Sequence, residues 1–169
     1  MSEFTRLFDL RHLPAAAIEL SATPEECAAL ARRFDLVAVK SLSAAIRFET
    51  DGPKISAKGR LQAQIVQSCA VSGDDLPARI DEPIDLRFVP ARPPQAGEFE
   101  LEAHELDEIE YDGTQFDLGE ALAQSLALGI DPFAEGPGAE AARRAAGLLD
   151  EDSSGPFAAL SSLRAKLKD

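Results

Sequence analysis

The stretch KSLSAAIRFETDGPKISAKGRLQAQI, residues 40–65, decides the fold. Its apolar positions Leu42, Ala44, Ile46 and Phe48 alternate with Ser43, Ala45, Arg47 and Glu49, the period of two that a strand with one buried face requires. Asp51-Gly52 supplies turn chemistry. A second alternating run follows, with Ile55, Ala57, Gly59, Leu61, Ala63 and Ile65 on one face and Lys54, Ser56, Lys58, Arg60, Gln62 and Gln64 on the other. The two runs predict an antiparallel hairpin, its register set by the shared apolar face.

Upstream of the hairpin, Thr23-Pro24-Glu25-Glu26 reads as a helix start: Thr23 caps, Pro24 takes the tolerated first position and Glu26 reaches back. The helix is expected to run to about Phe34, burying Cys27, Leu30, Ala31 and Phe34 and leaving Arg32 and Arg33 near solvent. Downstream, residues 72–77 read as a loop, and Ile80, Ile84, Leu86 and Phe88 then share one parity while Arg79, Asp85 and Arg87 take the other. Pro83 places that strand at an edge or at its start. Residues 90–98 are Pro-rich and read as mobile, with a short strand expected around Phe99 to Leu101 and a last strand-like piece from Ile109 to Phe116. Asp117 and Glu120 have the spacing of a capping pair for a helix ending near Gly129, with Leu118, Ala121, Leu122, Ser125 and Leu126 on its buried stripe.

These elements predict an α+β fold: a mostly antiparallel sheet of about five strands packed by two helices, followed by a flexible acidic segment and a short C-terminal helix. The organisation is a domain over residues 1–130, an acidic linker over 131–155 and an amphipathic helix over 156–169. The linker is nearly without large apolar groups and is expected to be disordered unless a short Ala-Arg helix forms near 139–149. The terminal helix carries Phe157, Leu160, Leu163 and Leu167 on one side, with Lys166 and Lys168 in its last turn, and reads as a docking motif.

Charge is unevenly spread. Residues 1–72 hold nine Lys/Arg against eight Asp/Glu, residues 73–155 hold five against 21, and residues 156–169 hold three against one. Phosphate attraction depends on local charge, so a nucleic-acid surface belongs to the first or last block. The hairpin's polar face projects Arg47, Lys54, Lys58 and Arg60, and Arg79 and Arg87 extend the patch from the next strand. Against that reading stands the ordinary polar exterior of a one-sided sheet, and no aromatic residues interleave the cations.

Catalytic and metal chemistry find little support. No phosphate loop, dinucleotide fingerprint, nucleophile elbow or H-E-x-x-H motif occurs. Cys27 and Cys69, with His12 and His104, are scattered rather than spaced as zinc ligands, and they frame no disulfide scaffold. Cys69 closes the second long strand with nothing nearby in sequence to activate it and reads as a buried structural thiol; His104 lies in an acidic run and reads as solvated. No catalytic residue, metal, cofactor or small-molecule substrate is therefore expected. The apolar stretches fall short of the roughly 20 residues of a membrane helix, and residues 1–10 do not read as a signal peptide, so a cytoplasmic protein without membrane contact is expected.

Cys69 at a strand end, the acidic segment, the run Asp112 to Glu120 (DGTQFDLGE) leading into a Leu-rich helix and the closing Pro156 to Leu163 (PFAALSSL) occur in an order that resembles the YceD-like family, the large ribosomal RNA subunit accumulation proteins. The resemblance spans nearly the whole chain. It implies a non-enzymatic bacterial role in 23S rRNA processing or accumulation, with 23S rRNA or its precursor and a large-subunit ribosomal protein as partners. Many relatives carry a C-x-x-C pair where this chain has Cys69-Ala70-Val71-Ser72, and some add a Cys where it has Asp131-Pro132-Phe133, so a metal or redox role does not carry over. The expected mechanism puts the cationic sheet face against rRNA and Phe157, Leu160 and Leu163 against a protein partner or back on the core. The alternative is an acidic, protein-only adaptor or chaperone for a basic ribosomal protein.

Overall fold

The computed structural model describes residues 3–91 and 108–148. They fall into two compact units, one built from residues within 1–66 and 77–131, the other from residues within 67–76 and 132–148. The fold is α+β, with a mainly antiparallel sheet.

In the larger unit the hairpin of β3 (Ala38–Asp51) and β4 (Lys54–Ser68) lies at the centre of a five-stranded sheet. β2 (Ile18–Ser21) flanks it on one side, β5 (Asp75–Pro90) and then β6 (Glu108–Tyr111) on the other. The pairing Asp51↔Lys54 leaves a two-residue turn with Gly52 at φ +59°, the left-handed conformation that a glycine at the first central position provides. The predicted faces hold except at Gly59, which is exposed: Leu42, Ala44, Ile46, Phe48, Ile55, Ala57, Leu61, Ala63 and Ile65 are buried, and their alternates are mostly exposed. Val39, out of phase by sequence, is also buried because the register shifts between Val39 and Ser41 and the extra residue inverts the parity.

α1 (Pro24–Arg33) forms as read. Thr23 Oγ1 accepts the N–H of Glu26, and the Glu26 carboxylate accepts the N–H of Thr23. Phe34 ends the helix, Asp35 follows at φ +53°, and the Leu36 N–H closes on the Ala31 carbonyl at 2.9 Å. α2 (Leu118–Leu128) is capped by Asp117, whose carboxylate accepts the N–H of Glu120, and buries Leu118, Leu122 and Leu126.

Three features depart from the sequence reading. The last strand-like piece is two strands, β6 and β7 (Gln115–Asp117), broken at Gly113 (φ +69°). β7 pairs outside the main sheet with β1 (Leu7–Asp9), and β6 runs parallel to β5. β5 starts at Asp75, so Pro83 lies in mid-strand, ahead of the stretch Arg87–Pro90 that pairs with β6. Four phenylalanines gather from these distant strands: Phe116 meets Phe88 at 4.3 Å between ring centroids, Phe48 at 5.9 Å and Phe8 at 6.0 Å.

The smaller unit joins the turn after β4 to the segment holding α3 (Ala139–Ala145), the short Ala-Arg helix that the sequence makes the condition for order in this part of the chain. The expected strand at Phe99 to Leu101 and the terminal helix at 156–169 lie outside the described residues.

Candidate nucleic-acid interface

Alternation places all six predicted cations, Arg47, Lys54, Lys58, Arg60, Arg79 and Arg87, exposed on the sheet face opposite the buried rows. Their state differs within the set. Lys54 pairs with Glu108 at 3.3 Å, Lys58 with Glu49 at 2.9 Å, and Arg60 with Asp81 through Nε at 2.5 Å. Arg47, Arg79 and Arg87 make no ion pair among the described residues. Glu49 lifts the Lys58 ammonium above its ordinary range by accepting its hydrogen bond, while Arg87 acts in the opposite sense. Arg60 likewise holds the Asp81 carboxyl below the usual carboxylate range.

Register makes one juxtaposition unusual. Arg47 sits directly across from Lys58, and like charges on opposed residues destabilise a ladder by a few tenths to about 1 kcal/mol. Toward β2 the same face turns small and neutral, where Ser43, Ala45 and Gln62 line a shallow groove with Glu19 and Arg60. The face thus gathers Arg47, Lys58 and Arg87 beside the carboxylates of Glu49 and Asp85, with a small polar groove toward β2.

Cys69 is the residue whose surroundings sequence reading missed. Its Sγ accepts the N–H of Ser72 at 3.4 Å and of Gly136 at 3.3 Å. The turn that aims them is closed by the Cys69 N–H to the Asp74 carbonyl (2.8 Å) and the Gly73 N–H to the Cys69 carbonyl (3.0 Å), with Gly73 at φ +74°. These donors, with the Ser72 side chain first among the causes, favour the thiolate and bring the thiol down to about 6. The Ser72-Gly73 pair three and four residues on was the local signal; Gly136, 67 residues away, left none. Cys27, by contrast, is buried on α1 and desolvation pushes its thiol up.

His12 lies exposed at the end of a short 3-10 turn, while His104, Phe157, Leu160 and Leu163 lie outside the described residues. Among the described residues no three His, Cys, Asp or Glu side chains converge as metal ligands, and no helix is long and apolar enough to cross a membrane. Comparison of the chain with protein-family models, with curated proteins and with solved structures gives no match, so the YceD-like resemblance stands on the order of its motifs alone.

Proposed function

We propose that the chain is a non-enzymatic bacterial factor, acting in the cytoplasm, that promotes 23S rRNA processing or accumulation by contact with rRNA or a large-subunit ribosomal protein. The observation that carries the rRNA reading is the cross-strand Arg47↔Lys58 pair, with Arg87 near enough to bear on Lys58. Glu49 offsets part of this like-charge contact by accepting from Lys58, and an anionic backbone laid over Arg47 and Arg87 would offset more of it. The motif order described above supplies the ribosomal context.

The test is anisotropy of labelled 23S rRNA fragments titrated with the full chain. Reversal of Arg47 and Lys58 to glutamate is expected to weaken binding to every fragment alike and to lower the salt slope by about one for each phosphate that is no longer neutralised. Unchanged binding would remove the sheet face from the reading. A second reading, an acidic adaptor for a basic ribosomal protein, is favoured by Glu108, Glu49 and Asp81 already engaging three of the six cations. It predicts capture of a basic large-subunit protein and none of RNA.

A further inference from the structure

A groove of about 460 Å³ opens in the larger unit between β6, the β1–β7 ribbon and α2. Its floor is apolar: Phe88, Tyr111, Phe116 and Ala121 are buried beneath it, and Leu7, 60% exposed, forms one lip. Among the described residues no cation lines it, whereas Glu110, Asp112, Asp117 and Glu120 do. Two of these carboxylates have structural work, Asp117 as the cap of α2 and Glu120 in the ion pair with Arg33. Glu110 and Asp112 are exposed and make no ion pair among the described residues.

Charge selects among the occupants such a groove could take. The segment 92–107 brings five carboxylates and one arginine, and a second copy of the chain carries a net charge of −13; both are repelled by this rim, whereas residues 156–169, with three Lys/Arg against one Asp, compete for it as a basic segment of the chain itself. A basic segment is attracted, and an arginine or lysine suits an apolar floor with an acidic lip because its methylene stem covers apolar surface while the charged head stays at the edge.

We propose that this groove is a docking site for a basic segment of a partner protein, with apolar side chains against Leu7 and Ile109 and a cation at Glu110 and Asp112. The proposal deepens the adaptor reading and rests on it for the class of partner, while the RNA reading concerns the cationic sheet face.

The test uses the full chain, labelled with ¹⁵N, titrated with a synthetic peptide that alternates arginine with leucine. The expected result is shifts at Ile109 to Asp112 and Gln115 to Asp117, with binding weakened about tenfold or more in a Glu110→Lys/Asp112→Lys variant. A Glu25→Lys/Glu82→Lys variant, with the same change in net charge, is expected to bind as the wild type does. Should either reversal perturb folding, Glu110→Gln/Asp112→Asn supplies the milder comparison. Peptide binding that is equally sensitive to the Glu25 and Glu82 changes, or that shifts other amides, overturns the groove but leaves the adaptor reading standing. No binding of this peptide or of a basic large-subunit protein overturns both. Shifts of the groove amides by an RNA oligonucleotide, with none from the peptide, also overturn it, as do shifts of the same amides on removal of residues 156–169 with none from the peptide, which would give the groove to the chain's own C-terminal segment.

Discussion

The Ser72 side chain, together with the two N–H groups aimed at Cys69 Sγ, makes its thiol acidic through local geometry. A pH titration of thiolate absorbance near 240 nm is expected to show one step near pH 6, absent in Cys69→Ser, while Cys27 ionises above the ordinary thiol range. The sign for stability follows from a folded value below the unfolded one: the contribution is full above the ordinary thiol pKa and is lost as pH falls through about 6. Gly59 is a second residue whose role needs the structure. Sequence alternation places it on the buried row as an unremarkable small residue, yet a Cβ built there would lie 1.9 Å from the Ala45 carbonyl oxygen across the ladder. Gly59→Ala therefore forces backbone to move, and urea denaturation is expected to report a loss of about 1–3 kcal/mol. Neither property was legible beforehand, because one depends on a partner 67 residues away and the other on the separation of two strands.

At the scale of elements, what could be read was what local pattern encodes. The hairpin needed only a period of two and a turn, and α1 needed only a capping box, so both stand where the residues put them. The β1–β7 ribbon pairs Leu7 with Asp117, and the parallel β5–β6 pairing joins Arg87 to Glu108; such pairings leave no periodic trace in either short strand. α1 nevertheless depends on these distant pieces. Arg6 donates to both oxygens of Glu26, at 2.6 and 2.9 Å, and its own N–H goes to Asp117 at 2.8 Å, so the capping carboxylate of one helix and the cap of the other share one arginine. Thr23→Ala is expected to cost about 1 kcal/mol in chemical denaturation. The Arg6 guanidinium holds the Glu26 carboxyl below the usual range, so its contribution is full above that range and is lost as pH falls through the lowered value. Glu26→Gln should accordingly flatten the acid limb of the stability curve, and a limb as steep as that of the wild type would show that Arg6 does not act through this carboxylate.

At the scale of the whole molecule, net charge and local charge point in opposite directions, and salt dependence separates them. A chain of net charge −13 repels RNA at long range, while its sheet face offers six exposed cations. Three of those cations already have carboxylate partners, and displacing Glu49, Glu108 or Asp81 would return much of the gain from a phosphate contact. Among the described residues, the cations of this face that can release counterions without breaking an internal pair are Arg47, Arg79 and Arg87. Three such phosphate partners predict that log affinity for rRNA falls against log salt with a slope of about −2 to −3, whereas all six would give about −4 to −5. Between low and physiological ionic strength, the shallower slope would mean that the internal ion pairs survive in the complex. The steeper one would mean that RNA strips the carboxylates from Lys54, Lys58 and Arg60, and Glu49→Gln would then tighten binding by freeing Lys58 in advance. Binding through the three arginines alone requires that this substitution leave the slope unchanged, so the variant and the titration together decide which cations carry the interface.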